Sequence, residues 1–101
     1  MNDSKNNKQE FEILRKIAKK PSSSQRELSK ELGYSLGKLN YCLNALKQKG
    51  FIKIQNFKLN PNKIGYAYIL TLKGIRQKTK LTINFMQRKM KEYDELKREL
   101  E

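Results

Sequence analysis

The spacing of apolar residues predicts two helices in the first third of the chain. An amphipathic stripe in steps of three and four residues marks the first helix: Phe11, Leu14, Ile17 and Ala18, with Ile13 beside it. Pro21 is expected to end that helix. Ser24 and Glu27 have the spacing of a capping box, so a second helix is predicted from there to about Leu32. Gly33 suits the left-handed residue that closes such a helix.

A third helix is predicted between Ser35 and Gly50. Four leucines form its expected buried stripe: Leu36, Leu39, Leu43 and Leu46. Other residues are expected to face outward or to lie on the flank of that face: Gly37, Lys38, Asn40, Tyr41, Asn44, Ala45 and Gln48. An ordinary solvated face would carry more Lys and Glu, whereas this face carries few charges and several hydrogen-bonding side chains.

The period changes from helical to alternating after Gly50. Ile52 and Ile54 alternate with polar residues, and residues 64–70 alternate again beyond the turn Asn60-Pro61-Asn62-Lys63, so a β-hairpin is predicted. Thr71 can cap a long helix that runs to about Leu100. The predicted fold is mainly α with a small β-hairpin. It has a frayed or disordered lead at 1–9, a compact domain at 10–71 and a C-terminal helix at 72–101.

Charge is distributed unevenly along this pattern. The chain has 23 Lys and Arg against 10 Asp and Glu, a net charge of +13. No acidic residue lies between Glu31 and Glu92, while thirteen basic residues do. The rest of the chain is balanced, so the whole net charge lies in one block. Uncompensated positive charge costs self-repulsion and suits a polyanionic partner.

Composition excludes several functional classes. The 101 residues form one small domain, and the single cysteine cannot make an internal disulfide. A polar N-terminus predicts no signal peptide, and no apolar run approaches the roughly 18 residues of a membrane span, so a cytoplasmic protein is predicted. The chain has no histidine, its acids are confined to the two ends, and no glycine-rich loop has phosphate-binding spacing. We therefore expect no enzyme, metal or cofactor.

Three helices followed by a hairpin with a basic tip is the order of a winged helix-turn-helix. The chain resembles the MarR family of transcription regulators in three places: the segment 24–28, the segment 43–46 with Lys49-Gly50, and Leu70-Thr71 with Gly74. The segments 35–43, 55–58 and 65–68 are similar to the short MarR-type regulators associated with exopolysaccharide gene clusters. The likeness covers roughly residues 10–101. It implies a dimeric DNA-binding regulator, most commonly a repressor that occupies a promoter.

The hairpin tip departs from the family pattern. Larger MarR proteins have an Asp-x-Arg element in the wing, whose Arg enters the minor groove. The tip Asn60-Pro61-Asn62-Lys63 has neither residue. Phosphate contact by the wing is therefore the expectation here, and the role of Lys63 is an analogy of position.

The third helix is the predicted reader of DNA, because the major groove is about 12 Å wide and admits one α-helix. Lys38 suits a guanine edge, Asn40 or Asn44 suits adenine, and Tyr41 suits a phosphate or a thymine methyl. The N-terminus of the second helix and the wing suit phosphates. The predicted DNA-binding residues are Ser24, Gln25, Ser35, Gly37, Lys38, Asn40, Tyr41, Asn44, Gln48, Lys58, Asn62 and Lys63.

Plainer interpretations exist for several of these residues. Lys38 and Gln48 could be ordinary solvated side chains, Tyr41 an aromatic at the edge of the core, and Asn44 neutral surface. Cys42 lies at the border of the buried stripe, where it is predicted to pack as a small apolar residue. The alternative of oxidant sensing lacks a second cysteine as a resolving partner.

The C-terminal helix carries a coiled-coil-like stripe and a second apolar strip at Leu81 and Phe85. The stripe is the predicted homodimer interface: Ile75, Thr79, Thr82, Met86, Met90, Tyr93, Leu96 and Leu100. In the alternative interpretation both strips pack inside one chain. The family resemblance also points to a dimer, which would read a pseudo-palindrome with half-sites about 34–36 Å apart.

The sequence leaves other functions open. The charge block would also serve an RNA- or ribosome-associated winged helix, and the third helix could bind a protein instead. Attachment of the basic C-terminal helix to a membrane surface ranks last, because that helix lacks Trp and a dense Lys face opposite one apolar face. A small-molecule effector is not predictable from these residues.

Overall fold

A computed structural model describes residues 3–21, 23–60 and 63–101, with side chains for 7–21, 23–56 and 66–101. The described chain forms four helices and a two-stranded antiparallel sheet. In order these are α1 (Asp3–Lys19), α2 (Gln25–Leu32), α3 (Leu36–Gln48), β1 (Ile52–Asn60), β2 (Lys63–Leu70) and α4 (Leu72–Glu99). The prediction of a mainly α fold with one β-hairpin and a long final helix is confirmed.

Helix α1 begins earlier than the sequence pattern predicts. It starts at Asp3, so residues 3–9 are helical and do not form the predicted frayed lead. Once packed residues have nucleated a helix, each further residue that joins it gains one backbone hydrogen bond, so the helix extends easily toward Asp3. Ile13 is fully buried while Ala18 is exposed, so the buried face of α1 is rotated toward Ile13 relative to the prediction.

Local sequence signals set the ends of the other helices. Ser24, Ser35 and Thr71 each accept a hydrogen bond from the backbone N–H three residues later, at 3.1, 3.1 and 3.0 Å. Gly33 has a φ of 71°, as the left-handed residue after α2. In a complete capping box the Glu27 carboxylate would accept from the Ser24 backbone N–H. Here it accepts from the Ser24 hydroxyl instead, at 3.2 Å.

One hydrophobic cluster joins all the helices to the root of the hairpin. Its fully buried side chains are Ile13, Leu14, Ile17, Leu28, Leu39 and Leu43, and Leu46, Ile52 and Leu81 are nearly so. The prediction that Leu36 is buried is wrong, because half of its surface is exposed. Residues 35–38 are all exposed, so the first turn of α3 lies outside the core that Leu39 closes. The buried stripe of α3 therefore has three leucines.

The hairpin is regular at its root and irregular near its tip. Ile52 pairs with Leu70 and Ile54 with Tyr68, and the register shifts between Lys58 and Asn60. Ile52 is buried, whereas Ile54 is 40% exposed, so the core covers only the root. None of the helices in the described part of the chain combines the length and hydropathy that a bilayer crossing requires.

A buried carboxylate ties three helices together. Glu10 of α1 is only 8% exposed. One of its oxygens accepts from Lys49 Nζ at 3.0 Å, and the other accepts from Gln77 Nε2 at 2.9 Å. Both carboxylate oxygens are thus satisfied, which a buried charge requires. The contact links α1 to the C-terminal end of α3 and to the first turns of α4.

The start of α4 lies directly against the end of α3. The backbone carbonyl of Phe51 accepts from Thr71 N at 3.0 Å, and the Thr71 hydroxyl donates to the Gly50 carbonyl. A Cβ at Gly74 would lie 1.9 Å from the Phe51 oxygen. Only glycine therefore allows α4 to approach this closely.

Replacing Gly74 by alanine is expected to lower the free energy of unfolding by about 1–3 kcal/mol, because backbone must shift to admit the methyl group. Urea unfolding followed by circular dichroism measures the effect. Gly37→Ala is the matched control, since no atom lies within 4 Å of a Cβ there. That variant should gain about 0.5–1 kcal/mol from helix propensity. Equal stability of the two variants would contradict the close packing of α4.

Candidate nucleic-acid interface

The polar face of α3 is exposed along its length. Leu39, Leu43 and Leu46 are at most 2% exposed and hold one side of the helix in the core. Predicted site residues lie on its exposed surface: Ser35, Gly37, Lys38, Asn40, Tyr41, Asn44 and Gln48. Helix α3 contains no acidic residue. The result is a rod-like ridge of donors and acceptors without negative charge.

The centre of this ridge is defined by helical spacing. At about 100° per residue, four residues lie opposite the buried leucines: Gly37, Tyr41, Asn44 and Gln48. Tyr41 is 77% exposed, so the interpretation of Tyr41 as a core-edge aromatic is wrong. Gly37 leaves the surface open between its neighbours, with no atom within 4 Å of a Cβ position. Lys38 and Asn40 lie on opposite flanks.

Lys38 contacts the aromatic ring of Tyr34, a residue in the turn between α2 and α3. Its Nζ atom lies 3.9 Å from the centroid of the Tyr34 ring, a cation–π contact. The Tyr34 hydroxyl donates to Glu12 Oε2 at 2.8 Å. Tyr34 thereby connects α1 to the start of α3. An aromatic residue in a helix-turn-helix turn is the only sequence signal for this role.

The surroundings of Tyr34 oppose its ionisation. Burial is the main cause, and the hydrogen bond and negative charge of Glu12 add to it, so the pKa of Tyr34 is raised well above its usual value. Burial likewise raises the pKa of Tyr68 on β2. Both phenols therefore stay neutral donors at physiological pH.

The two predicted residues at the start of α2 have partners within the protein. Ser24 caps the helix, as described above. Gln25 donates from Nε2 to the Leu36 carbonyl and accepts from the Tyr68 hydroxyl, both at 3.5 Å. These are long, weak hydrogen bonds. Gln25 thus lies where α2, α3 and β2 meet, and its amide already has partners there.

The remaining predicted residues lie toward the tip of the hairpin. In the described backbone Lys58 pairs with Ile64, and Lys63 pairs with Asn60. The side chains of Lys58 and Lys63, and the whole of Asn62, lie outside the described residues. Lys53, nearer the root of the hairpin, is exposed. Contact between the tip and DNA stays a prediction.

Cys42 is half-buried against the core, beside Gln9, Glu10 and Ile13 of α1. Burial raises the pKa of the Cys42 thiol, and the charge of Lys38 offsets this only in part. A thiol with a raised pKa is a poor nucleophile. These surroundings agree with a packed apolar role. Among the described residues, no group of three or more His, Cys, Asp or Glu side chains is placed to hold a metal ion.

Comparisons of the sequence support a DNA-binding fold. Residues 6–53, from α1 to the start of β1, match the family described as winged helix-turn-helix DNA-binding. The HTH-type transcriptional regulator LrpA of Pyrococcus horikoshii is 35% identical over 65 residues. That match covers 64% of this chain and 43% of LrpA. The matching family is described as DNA-binding and LrpA as a transcriptional regulator, so neither description is that of an enzyme.

Solved structures with the same fold extend the likeness to α4. One is Staphylococcus aureus MarR in complex with salicylate and kanamycin, with a TM-score of 0.68, 20% identity and 85% of this chain covered. Another is Streptococcus pneumoniae FabT in complex with DNA, with a TM-score of 0.66, 25% identity and 86% covered. This chain spans 56% and 59% of those two chains, a little over half their length. The predicted winged helix-turn-helix with a long C-terminal helix is confirmed.

Replacing Tyr34 by phenylalanine should remove the bond to Glu12 while keeping the ring under Lys38. We expect a loss of about 1 kcal/mol of stability at neutral pH. The raised pKa means that the folded state holds the phenolic proton more tightly than the unfolded chain. Wild-type stability should therefore fall as pH rises above about 10, where the unfolded tyrosine ionises.

Urea unfolding between pH 8 and pH 11 tests this expectation. The Tyr34→Phe variant should lose less stability than the wild type over the alkaline part of that range. Tyr68 supplies a remaining alkaline loss in both proteins. Tyr41→Phe is the matched control, because it removes a phenol hydroxyl on α3 and leaves the hydrogen bond between Tyr34 and Glu12 in place. Parallel alkaline profiles for wild type and Tyr34→Phe would contradict the assignment.

Proposed function

We propose that this chain, which is similar to winged helix-turn-helix proteins of MarR type, is a cytoplasmic transcription regulator that reads double-stranded DNA with α3 in the major groove. The observation that carries the proposal is the exposed, acid-free polar face of α3 inside a chain segment that holds the whole net charge of +13. Such a surface combines groove-edge donors with attraction to phosphates.

Base reading is assigned to the first turns of α3. Asn40 and Asn44 can each bond two edge atoms of adenine, and Lys38 can donate to guanine O6 and N7. Lys38 must leave the Tyr34 ring for this. An exposed cation–π contact is worth only about 0.5–1 kcal/mol, so a guanine edge can compete with it. Tyr41, exposed at the centre of the ridge, suits a phosphate or a thymine methyl.

Phosphate contacts surround the reading helix. Ser24 and Gln25 lie at the N-terminus of α2, whose first backbone N–H groups and dipole favour an anion. Lys58, Asn62 and Lys63 are assigned to the backbone contacts of the wing. Lys47 and Lys53 are exposed and add charge that does not depend on sequence. These contacts set the affinity and register, while α3 sets the choice of site.

We assign the exposed stripe of α4 to a homodimer. Six of its apolar side chains are at least half exposed: Ile75, Met86, Met90, Tyr93, Leu96 and Leu100. Thr79 is exposed and Thr82 half-buried, while Leu81 and Phe85 of the other strip pack on the core. A row of this length left in water favours a partner helix. A two-fold dimer would present two α3 helices to a pseudo-palindrome and would repress by covering a promoter.

Lys38→Ala is expected to weaken binding to a preferred site by about 1–3 kcal/mol and to weaken other sequences little. The preferred duplex is first selected from a random-sequence pool with the wild-type protein. Fluorescence anisotropy then gives dissociation constants for that duplex and for a scrambled one at two salt concentrations.

Lys58→Ala is the comparison variant with the same change of charge. It should weaken both duplexes alike and reduce the salt dependence of log K by about one. If Lys38→Ala also weakens both duplexes equally, Lys38 does not read bases. If the wild-type protein selects no sequence, the proposal of sequence-specific regulation fails.

A chain that ends after Lys91 tests the dimer. This truncated chain keeps Leu81 and Phe85, which pack on the core and are needed for the domain to stay folded. Because it loses Tyr93, Leu96 and Leu100, we expect it to sediment as a folded monomer where the full chain is a dimer. Circular dichroism confirms that it remains helical. A truncated chain that dimerises as well as the full chain would remove the C-terminal stripe from the interface.

A further inference from the structure

An apolar groove with a basic rim lies between α1 and α4. It has a volume of about 530 Å³. Phe11 of α1 and Phe85 of α4 stack at the groove, with ring centroids 4.8 Å apart, and Met86 and Met90 continue its wall. Three cations form the rim of this apolar surface: Arg15, Lys78 and Lys89. No acidic side chain lines the groove. The groove therefore suits a segment that is both apolar and acidic.

The last turns of α4 are such a segment. Residues 92–101 contain five acidic residues and two basic ones, the reverse of the chain before them. Every residue in this segment is exposed. Tyr93, Leu96 and Leu100 expose 65%, 62% and 89% of their surface, so the segment makes little contact with its own domain.

We propose that the groove between α1 and α4 receives residues 92–101 of a second copy, in a dimer whose two α4 helices run antiparallel. This inference rests on the proposed homodimer and specifies its direction and the contact that defines it. In a two-fold dimer the contact occurs twice, because each copy offers one groove and one acidic segment.

Charge favours the antiparallel direction. Residues 73–91 carry seven cations and no acid. Parallel helices would place these cations beside the same cations of the partner, and the acidic ends beside each other. The antiparallel direction places acidic ends beside basic stretches and also opposes the two helix dipoles. Each exposed pair contributes little alone, yet all of them favour the same direction.

The spacing of the apolar stripe also fits a reversed partner. From its midpoint between Met86 and Met90, the steps are four, three and four residues back to Ile75, and three, three and four forward to Leu100. Reading the stripe backward therefore gives almost the same spacing. Two antiparallel copies can cover each other over the whole stripe, about 38 Å at 1.5 Å per residue.

Helical spacing also selects the charges that should meet. At about 100° per residue, Lys78 and Lys89 flank the stripe on the same side as Glu92 and Glu99. Antiparallel helices related by a two-fold axis bring equivalent sides together. Each rim should therefore face the partner's Glu92 and Glu99. Lys80 and Lys91 lie on the opposite face of α4.

Charge reversal separates the possible arrangements. The double variant Lys78→Glu with Lys89→Glu reverses the rim, and Glu92→Lys with Glu99→Lys reverses the acidic segment. Sedimentation equilibrium at 0.1 M salt is expected to show each variant dimerising at least about tenfold more weakly than wild type, since two contacts per dimer become repulsive. The rim variant should weaken even though its net charge falls from +13 to +9.

Mixing the two variants is the decisive measurement. In their heterodimer, the reversed rim meets the reversed segment, and the native rim meets the native segment. An equimolar mixture should therefore recover wild-type affinity, which also shows that both variants fold. The Lys89–Glu92 pair within one chain, at 3.6 Å, is broken in both variants, so it cannot produce the recovery.

Lys80→Glu with Lys91→Glu is the matched control. It has the same net charge as the rim variant but alters the opposite face, so its dimer should be as strong as wild type or stronger. Rim and control variants that behave alike, or a mixture that stays weak, would overturn the groove contact and leave the dimer standing. A wild-type chain that sediments as a monomer would overturn the dimer itself, while sequence-selective DNA binding is judged separately by anisotropy.

Discussion

The burial of three leucines of α3 is the constraint on which the exposed ridge depends. Leu39, Leu43 and Leu46 lie in one cluster with Ile13, Leu14 and Ile17 of α1. Truncating one such side chain typically costs about 2–5 kcal/mol, in a domain whose total stability is about 5–15 kcal/mol. The helix therefore cannot rotate about its axis without unfolding the core. Its polar residues face outward because the opposite side is held in the core.

A second constraint sets the position of α4 relative to α3. The Glu10 carboxylate is shared by Lys49 at the end of α3 and Gln77 in α4, and Gly74 lets α4 approach the Phe51 carbonyl. Removing one partner of a buried charge is strongly destabilising, since the other charge is left without compensation. The helix assigned to dimerisation and the helix assigned to DNA are thus joined by short, rigid contacts. The geometry of a dimer would then set the spacing of its two reading helices.

Features that depend on residues close together in the sequence were predictable, whereas contacts between residues far apart in the sequence were not. Caps at Ser24, Ser35 and Thr71 depend on residues three apart, so the helix ends of α2, α3 and α4 were predicted well, as was the outward face of α3. Glu10 with Lys49 and Gln77, and Tyr34 with Glu12, join residues 39, 67 and 22 positions apart. The helical and alternating patterns of apolar residues do not predict such long-range pairs. Leu36 failed for a related reason: a helical period gives a direction, but only the surrounding chain decides whether something covers it.

The two ends of the charge distribution have complementary roles in this arrangement. An uninterrupted positive block repels itself, and dimerisation of such a chain adds the repulsion of a second block. The five acidic residues of the segment 92–101 offset this cost if they lie beside the partner's basic α4. They then neutralise charge on α4 and not near α3. Positive charge at α3 and the hairpin would then remain uncompensated, where phosphates can replace counterions. An acidic end placed near its own α3 would instead compete with DNA. The separation of the acidic segment from α3 and the hairpin along the sequence would thus serve both the proposed dimer and the proposed DNA contact.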